Sequence, residues 1–464
     1  MERFVDESIS RQALADFIRD MEEAGNQAHC MVLYRQNRLL LRYAVAPYRW
    51  DDRRELYSLS KTFTSTAFGL AFDRGLIRPE DKVLGLFPEY AHLGREDEKW
   101  QQLTFAHVLS MSDGHVACVF PQMAFGGDSV RAYFETPLTH EPGSTFVYNT
   151  GATCLIAEAV RRATGKPVPQ LLAEEVFAPL DIGDFGWEAC MDGHCDGGTG
   201  LSLSCDDVAK LGLLYLNEGR WNGRQILSPE WVRMATSRQV DTPQNGSPDW
   251  TAGYGYQFWR NEKAGFRGDG AFGQACIVLP EKQLVLALLS ESTNMAEEFA
   301  CMWRFLDRLN TAEGNHQPRE SYPPVGDLSG HTLDTGWRQL AENPSGLLSL
   351  RIQADEGCAR VSLCDGSGVQ TLTAPSGRWQ ENLLYLPNLR PSLHHMMPRS
   401  HRQKLFISAA AHWEGEALAV ECRSRNCPHG YTWRFALPEG RLKAELLSPL
   451  DVFGDEKLLT EKRG

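Results

Sequence analysis

The 464-residue sequence lacks any hydrophobic run long enough to cross a lipid bilayer. Its apolar stretches CMVLY (30–34) and LVLALL (284–289) are far shorter than the roughly 20 residues that a membrane helix requires. Residues 1–20 carry eight charged side chains and contain no apolar core of signal-peptide length. These absences predict a cytoplasmic protein with no membrane partner.

The sequence also lacks the excess of positive charge that nucleic-acid binding requires. With 47 lysines and arginines against 60 aspartates and glutamates, the formal net charge is −13 at pH 7. A chain of this sign is repelled by phosphate backbones, so no nucleic-acid partner is expected. At 42% hydrophobic and 23% charged residues, the composition is that of a globular protein with a full hydrophobic core.

Several catalytic, metal-binding and cofactor-binding signatures are missing or incomplete. No G-x-S-x-G segment occurs, which argues against an α/β-hydrolase. The twelve cysteines form no compact disulfide framework, and the clusters CMDGHC (190–195) and CRSRNCPH (422–429) are each half of a zinc site at best. GDGAFG (268–273) has the spacing of a dinucleotide loop, but a strand pattern follows it instead of a helix. We therefore expect reduced cysteines, no metal and no cofactor.

The chain divides by composition into two parts. Residues 313–330 are polar and rich in proline and glycine, which is typical of a linker. Residues 1–312 place strand-like runs near both ends and helical segments between them, which predicts an α+β domain. Residues 331–464 consist of short alternating runs at regular spacing, which predicts an all-antiparallel β-sandwich or barrel.

Several elements of the first domain can be placed along the sequence. Residues 8–24 have a helical pattern, and two strands then flank the turn Gln36-Asn37 as a hairpin. Four further strands are predicted within residues 253–290, in the segments YGYQFWR, GFRGDG, QACIVLP and LVLALLS. A helix is expected at roughly 294–310, so one sheet would be assembled from both ends of the domain.

The stretch YSLSKTF (57–63) raises the question of a reactive serine. Apolar residues recur after it with helical period as far as Gly75, so Ser58 is predicted at a helix N-terminus with Lys61 one turn further along. A hydroxyl, an ammonium and a helix N-terminus can form a nucleophile, its activator and an anion site. The same residues fit a helix cap followed by a solvated lysine, and the spacing S-x-x-K alone does not decide between them.

Two more stretches become informative together with the first. Tyr148-Asn149-Thr150 lies just before a helical pattern, and residues 266–290 form a glycine-rich strand followed by two more strands. In order, spacing and surroundings, the three stretches resemble the serine β-lactamase and penicillin-binding protein superfamily, most closely its class C-like esterase and D-peptidase branch. The resemblance covers roughly residues 8–310. It implies an antiparallel sheet flanked by helices, with a helical subdomain as the other wall of a cleft.

The resemblance also implies roles for individual residues. Ser58 is the expected nucleophile, Lys61 its partner and Tyr148 the acid or base. The backbone N–H groups of Ser58 and Ala271 are the expected oxyanion hole. Four residues are expected to bind substrate, with GDG at the place of the family's lysine-threonine-glycine or histidine-x-glycine motif: Thr150, Gly268, Asp269 and Gly270. Tyr148 could instead be a core tyrosine, and Thr150 a helix cap.

The residue types suit chemistry through an acyl-enzyme. A serine hydroxyl is a weak nucleophile at neutral pH and needs a base within hydrogen-bond reach. Tyrosine and lysine have reference pKa values near ~10 and ~10.4, so neither is a base at pH 7 unless its pKa is shifted. Because neighbouring groups titrate together, we assign the base to the pair Lys61 and Tyr148 and to neither residue alone.

The sequence departs from the family on the strand that lines the cleft. Gly268 removes the cationic or imidazole side chain of relatives, and Asp269 adds a carboxylate that would repel an anionic substrate. Arg267 is expected to point away from position 268. We therefore expect hydrolysis of a small uncharged ester, with weak or absent β-lactamase activity, on a small-molecule or short-peptide substrate. A D-peptidase or β-lactamase-type amidase, acyl transfer, and a non-catalytic binding protein stay open, as does the oligomeric state.

Overall fold

The structure, a computed structural model, describes residues 3–93, 97–125, 127–190, 192–242, 247–311, 313–314, 316–343, 346–386, 403–448 and 458–462. Among these residues, no helix is both long enough and apolar enough to cross a membrane. Contacts divide the chain into two compact units. One consists of Met1–Ala44 and Trp50–Pro318, and the other of Val45–Arg49 and Arg319–Gly464.

The first unit is built on an antiparallel sheet. Its strands are β1 (Phe4–Val5), β2 (Gln27–Arg35), β3 (Arg38–Ala44), β4 (Arg54–Glu55), β5 (Ser202–Leu203), β6 (Arg220–Trp221), β7 (Arg224–Gln225), β8 (Trp259–Arg260), β9 (Phe266–Gly270), β10 (Gln274–Leu279) and β11 (Leu284–Glu291). Seven of them pair in the order β1-β3-β2-β11-β10-β9-β8, while β4 pairs with β5 and β6 with β7. Every residue of β11 is buried, so both faces of the sheet are covered.

Helices cover the sheet and build the region beside it. They are α1 (Arg11–Glu23), α2 (Ser60–Asp73), α3 (Val83–Leu86), α4 (Glu98–Gln102), α5 (Phe105–Leu109), α6 (Phe120–Phe125), α7 (Ser129–Glu135), α8 (Thr150–Thr164), α9 (Val168–Leu172), α10 (Cys205–Leu216), α11 (Pro229–Thr236), α12 (Pro248–Thr251) and α13 (Met295–Arg308). α10 packs on β2, β10 and β11, whereas α1 packs on α13 and β2. Side-chain caps that accept a backbone N–H begin many of them, for example Ser10 before α1, Ser228 before α11 and Asn294 before α13.

These elements confirm the α+β fold expected from the sequence. The hairpin turns at Gln36 and Asn37, whose φ angles of 50° and 59° suit a tight hairpin. One strand prediction was wrong, because only the last two residues of YGYQFWR pair as β8. The Gly255 N–H donates to the Phe258 carbonyl, and Gln257 has a φ of 67°, so the segment before β8 is a turn.

The helix α2 is the buried centre of the first unit. Every residue from Ser60 to Ala71 is buried, and the helix contacts α8, α9, α11 and β9. Trp231 of α11 stacks on Phe68 with ring centroids 5.3 Å apart. A Cβ added at Gly69 would lie 2.3 Å from the Trp231 ring, so the indole fills the space that a glycine leaves on α2.

The second unit consists of two antiparallel sheets, which confirms the expected all-β fold of the C-terminal part. Its strands are β12 (Leu333–Asp334), β13 (Arg338–Gln339), β14 (Ser349–Ala354), β15 (Cys358–Asp365), β16 (Gly368–Pro375), β17 (Gln380–Leu386), β18 (Gln403–Glu414), β19 (Ala417–Ser424), β20 (Gly430–Ala436), β21 (Lys443–Leu447) and β22 (Leu458–Thr460). One sheet has the order β12-β14-β15-β16 with β13 beside β14, and the other runs from β17 to β22 in sequence order. β16 packs against β17 and β18, which joins the two sheets.

The segment Val45–Arg49 groups with the second unit, although the sequence predicted one continuous first domain over residues 1–312. The Ala46 N–H donates to the Glu320 carbonyl at 3.0 Å, and the Tyr322 N–H donates to the Ala46 carbonyl at 2.7 Å. These backbone hydrogen bonds hold the five-residue segment against the start of the second unit, and no composition change in the sequence marks them.

Gly69→Ala is expected to destabilise the first unit, because the added methyl group would lie 2.3 Å from the Trp231 ring. Overpacking of this kind costs roughly 1–3 kcal/mol. Gly85→Ala is the matched control, since that helical glycine has open space around its Cβ position and alanine is the better helix former. Urea unfolding followed by tryptophan fluorescence measures both free energies of unfolding. Equal stability of the two variants would contradict the packing of α2 against Trp231.

Candidate active site

Ser58 is half-buried in the single 3₁₀ turn Tyr57–Leu59, which leads directly into α2. Tyr57 has a φ of 49°, in the left-handed region that non-glycine residues rarely adopt. Its buried ring packs edge-on against Phe272, with ring centroids 5.2 Å apart. Backbone strain persists only where the surrounding packing holds it, and it clusters at functional sites. The predicted nucleophile therefore stands on a fixed and strained turn.

Lys61 is 1% exposed, so the alternative of a solvated lysine is wrong. Its Nζ lies 3.0 Å from Ser58 Oγ, 3.1 Å from Thr150 Oγ1 and 2.8 Å from the Gly198 carbonyl oxygen. Burial lowers the pKa of Lys61 to about 8, against the opposing effect of acidic groups such as Asp196. Near neutral pH the neutral form of this amine is therefore far more populated than that of an ordinary lysine.

The three oxygen atoms around Lys61 Nζ are compatible with both the charged and the neutral form of the amine. An ammonium group donates one hydrogen bond to each of them. A neutral amine donates to Thr150 and to the Gly198 carbonyl, and its lone pair can accept the hydroxyl proton of Ser58. The arrangement therefore suits removal of the Ser58 proton by a neutral amine.

Tyr148 completes the cluster on the other side of Ser58. Its hydroxyl is hydrogen-bonded to the Ser58 side chain, and Lys61 Nζ lies 5.0 Å from the centroid of its ring. The ring stacks on Trp259, with centroids 5.6 Å apart and planes 13° from parallel. Burial raises the pKa of the Tyr148 phenol, and the charge of Asp269 acts in the same direction. The structure thus brings the three expected side chains together, with the tyrosine held as a neutral phenol.

The two residues that follow Tyr148 have different roles, since one caps a helix and the other contacts the site. Asn149 caps α8, because its Oδ1 accepts the N–H groups of Gly151 and Val119, each at 3.0 Å. Thr150, for which the sequence left a capping role open, instead presents its hydroxyl to Lys61. The contact of Thr150 is therefore with the buried amine, and Thr150 does not line the cavity beside the serine.

The loop 196–200 supplies the third oxygen atom around Lys61 Nζ, the carbonyl oxygen of Gly198. The sequence alone did not assign this loop to the site. Asp196 accepts the N–H groups of Gly198 at 2.9 Å and of Thr199 at 2.7 Å, which fixes the loop. A Cβ at Gly198 would lie 2.6 Å from Thr150 Cγ2, so a glycine is needed for this close approach. The only signal in the sequence is the segment DGGTG (196–200), a pair of glycines after an acidic residue.

Strand β9 passes close to the turn before α2 because it carries two glycines. A Cβ at Gly268 would lie 2.5 Å from both Leu59 Cδ1 and Thr62 Cγ2, and one at Gly270 would lie 2.0 Å from the Leu56 carbonyl oxygen. Position 268 therefore faces α2 and does not line the cavity. The space that a cationic side chain would need at position 268 is therefore occupied by Leu59 and Thr62.

Asp269 is not the unopposed carboxylate that the sequence suggested. Its Oδ2 accepts a hydrogen bond from Arg267 Nε at 2.9 Å, since residues two apart on β9 share one face. Arg267 is fully buried and also donates to the carbonyl oxygens of Asp249 and Arg260. Burial raises the pKa of Asp269, and Arg267 opposes this shift. An anionic substrate would therefore meet a paired carboxylate, and the repulsion is weaker than expected.

A cavity of about 360 Å³ opens beside Ser58. Its described lining combines the serine, the tyrosine, the end of β9 and several large apolar side chains: Ser58, Tyr148, Trp250, Trp259, Asp269, Gly270, Ala271 and Met295. None of these lining residues is a lysine, arginine or histidine. Trp250 and Met295 were not found by sequence reasoning, because an isolated tryptophan or methionine carries no local signal that separates a cavity wall from a core.

The described residues contain no group of three or more His, Cys, Asp or Glu side chains arranged to hold a metal ion. All twelve cysteines are free, including those of the clusters at 190–195 and 422–429.

Comparison with known families gives one match that covers most of the first unit. The sequence profile described as Beta-lactamase matches residues 17–310. A curated relative, the 6-aminohexanoate-dimer hydrolase of Paenarthrobacter ureafaciens, is 26% identical over 304 residues, which are 61% of this chain and 78% of the relative.

Solved structures show the same fold at low sequence identity. A family VIII carboxylesterase aligns with a TM-score of 0.52 and 18% identity, over 66% of this chain and 100% of that chain. The octameric penicillin-binding protein homologue from Pyrococcus abyssi aligns with a TM-score of 0.51 and 13% identity, over 97% of this chain and 99% of that chain. The second alignment therefore extends over both units.

Thr150→Val is expected to lower the pKa of Lys61 below about 8, because the ammonium loses one of its three acceptors while burial is unchanged. Thr150→Ser keeps the hydroxyl and is the matched control, with a pKa like that of the wild type. NMR titration of ε-¹³C-labelled lysine, with Lys61→Met to assign the signal, measures the three values. A Lys61 pKa near 10.4, the ordinary value, would contradict the buried cluster.

Proposed function

Because the chain belongs to the β-lactamase family and is a serine hydrolase, we propose that it forms an acyl-enzyme on Ser58 and hydrolyses small esters with an uncharged acyl group. The observation that carries this proposal is the contact between Lys61 Nζ and Ser58 Oγ, 3.0 Å apart within a buried cluster. A serine held against a buried amine of lowered pKa is an activated nucleophile.

Lys61 is the general base of the proposed acylation step. Its neutral amine takes the hydroxyl proton while Ser58 Oγ bonds to the carbonyl carbon of the substrate. The oxyanion that forms accepts hydrogen bonds from the backbone N–H groups of Ser58 and Ala271. Losing one such donor costs ~3 kcal/mol of transition-state stabilisation. Ala271 directly follows β9, and the glycines of that strand allow it to lie close to the serine turn.

Tyr148 is the proposed proton donor to the leaving group. When the bond to the leaving oxygen or nitrogen breaks, the phenol gives up its proton, and the Lys61 ammonium returns one to the phenolate. The amine is then neutral again and takes a proton from the water that attacks the acyl-enzyme. That proton passes to Ser58 Oγ as the acid product leaves, so the site ends each cycle in its starting state.

The lining of the Ser58 cavity supports an uncharged acyl group. Trp250, Trp259 and Met295 offer apolar surface to an alkyl or aromatic chain. The guanidinium of Arg267 is buried and already bound by Asp269 and backbone carbonyls. The one arginine in the described lining of the neighbouring cavity, Arg238, is ion-paired with Asp241 at 2.5 Å. The carboxylate of a β-lactam would therefore lack an unpaired cationic partner in either described lining, which supports weak or absent β-lactamase activity.

Hydrolysis of an amide is the second candidate. The relative from Paenarthrobacter ureafaciens is named for hydrolysis of the 6-aminohexanoate dimer, whereas one similar structure is named a carboxylesterase. An amine leaving group must be protonated to depart, and the hydrogen-bonded phenol of Tyr148 is placed beside Ser58 to supply that proton. The same residues therefore support both reactions, and a D-peptidase is included in this second candidate.

A second cavity, of about 640 Å³, shares Tyr148 with the first. Residues 143–148 and 238–242 line it, and many of them carry hydroxyl, amide or charged groups. Because Tyr148 is the proposed donor to the leaving group, we assign this cavity to the leaving group, or to an alcohol or amine acceptor when acyl transfer replaces hydrolysis. Cavities of these sizes suit a small molecule or a short peptide as substrate.

The proposed location is the cytoplasm, and no nucleic acid or membrane is proposed as a partner. Twelve free cysteines suit a reducing compartment. The net charge of −13 opposes binding to phosphate backbones.

Ser58→Ala is expected to abolish both ester hydrolysis and covalent labelling by a fluorophosphonate, because it removes the proposed nucleophile. Intact mass and peptide mapping of the wild type should place a single phosphonyl group on Ser58. Ser60→Ala is the matched control, since the Ser60 hydroxyl accepts the Leu201 N–H and does not line the cavity. A non-catalytic binding protein would show no label in either the wild type or the control.

The wild type is expected to hydrolyse p-nitrophenyl butyrate with a kcat/KM ~10- to 100-fold above that for nitrocefin. The factor corresponds to one unmet hydrogen bond to the β-lactam carboxylate, worth about 1.5–3 kcal/mol. Steady-state kinetics of both substrates, with Ser58→Ala as the blank, give the ratio. Rapid turnover of nitrocefin together with no hydrolysis of short p-nitrophenyl esters would refute the proposed substrate class.

A further inference from the structure

Glu298, a residue that has no part in the chemistry above, is buried next to the turn that carries Ala271. It lies in the first turn of α13 with 1% of its surface exposed. Its Oε1 is 2.9 Å from Ser290 Oγ, and Ser290 Oγ is 2.8 Å from the Gly273 carbonyl oxygen. One hydroxyl group therefore joins the buried carboxyl group to the turn 271–273 between β9 and β10.

The single hydroxyl hydrogen of Ser290 has two acceptors within reach, the Gly273 carbonyl oxygen and Glu298 Oε1. In its acid form Glu298 can donate to Ser290 Oγ, and the hydroxyl hydrogen is then free to bind the Gly273 carbonyl, so both contacts are full hydrogen bonds. In the ionised form the hydroxyl donates to the carboxylate, and the Gly273 carbonyl keeps only the Ser290 N–H. The Ser292 hydroxyl is a second polar group beside Glu298, and like Ser290 it opposes the rise in the pKa of the acid. This hydroxyl lies 3.1 Å from Asn26 Oδ1, which accepts two backbone N–H groups and so is an acceptor.

The turn held in this way is joined to the serine. The Gly273 and Phe272 carbonyls accept the backbone N–H groups of Ser290 and Ser292, each at 3.0 Å. The Phe272 ring packs on Tyr57, the strained residue before the nucleophile. A Cβ at Gly273 would lie 1.9 Å from Ser290 Oγ and 2.6 Å from Glu298 Oε2, so the turn and the acid are packed without spare room.

We propose that Glu298 in its acid form is a positioning residue, which holds the turn 271–273 so that the Ala271 N–H faces the oxyanion formed at Ser58. The inference rests on the proposed function, because it assigns the oxyanion role to Ala271. When Glu298 loses its proton, the Ser290 hydroxyl turns from the Gly273 carbonyl to the new carboxylate. An unpaired buried charge also draws water towards the turn. The oxyanion donor then loses its fixed position.

The surroundings of Glu298 place the loss of its proton near neutral pH. Burial raises the pKa of Glu298 to about 7, and Asp269 on β9 acts in the same direction, while Ser290 and Ser292 oppose it. Arg267 is committed to Asp269, and Cys301 on the same helix interacts with Glu298 as a second weak acid. Because the folded-state pKa lies above the ordinary value, protonated Glu298 adds stability that is lost as pH rises through about 7.

Glu298→Gln is the variant that tests the proposal, because an amide donates to Ser290 at every pH and cannot ionise. The ratio of kcat/KM for p-nitrophenyl butyrate, variant over wild type, is expected to be near one at pH 6 and ~10-fold or more at pH 9. Each pH unit above a pKa removes ninety per cent of the remaining acid form, roughly a factor of ten. The effect should fall on kcat with KM unchanged, since the oxyanion exists only along the reaction path.

Glu297→Gln is the matched control, since it makes the same charge change one residue away on an exposed position. The ratio of kcat/KM, Glu297→Gln over wild type, is expected to stay near one at every pH. Ser290→Ala removes the link itself, so its kcat relative to that of the wild type should be lowered at pH 6 and should approach one at pH 9. This variant keeps the test available if Glu298→Gln does not fold.

A Glu298→Gln ratio that does not change between pH 6 and pH 9 would overturn the positioning role. Fluorophosphonate labelling of the wild type at pH 6 separates this failure from failure of the proposed function. If Ser58 is labelled and the kcat/KM ratio does not change with pH, only the positioning role of Glu298 is rejected. An absence of label on Ser58 rejects the proposed function, and the positioning role falls with it.

Discussion

The buried amine of Lys61 is the constraint on which the first unit depends. An amine that is 1% exposed must have its hydrogen-bonding capacity met by the protein, because water cannot reach it. Its partners come from three separate parts of the chain, the serine turn, the start of α8 and the glycine loop after Asp196. The fold therefore has to bring these segments together, and the cost of burial is what makes the amine a base near neutral pH.

The second constraint is the close approach of β9 to the serine turn. Gly268 and Gly270 have no room for a Cβ, because Leu59, Thr62 and the Leu56 carbonyl occupy that space. A side chain at position 268 would push the strand away, and Ala271 would move with it. The lack of room for a cation at this place on β9 is thus a consequence of packing. The proposed substrate preference rests on packing as well, since a strand this close to α2 leaves the cavity to aromatic and methionine side chains.

The sequence predicted the parts of the site that are carried by local patterns. Periodicity placed Ser58 and Lys61 near the start of one helix and Tyr148 before another. The resemblance to the serine β-lactamase and penicillin-binding protein superfamily then implied that the three belong to one site. The Gly198 carbonyl and the pairing of Arg267 with Asp269 were not predicted in this way. A backbone carbonyl carries no residue signature, and an ion pair within one strand becomes visible only when burial is known. The turn before β8 was misread because aromatic residues favour strands, and tertiary contacts overrode that preference.

Burial also accounts for the different roles proposed for the lysine and the tyrosine, although the sequence assigned the base to both. A low-dielectric environment favours the neutral form of every ionisable group, so it lowers the pKa of Lys61 and raises that of Tyr148. The neutral form of an amine has a free lone pair, whereas the neutral form of a phenol has a proton to donate. One physical cause therefore supports both proposed roles, Lys61 as the acceptor of the serine proton and Tyr148 as the donor to the leaving group. The same cause keeps Glu298 in its acid form until about pH 7, so the desolvation that creates the base also sustains the turn proposed to hold the oxyanion donor.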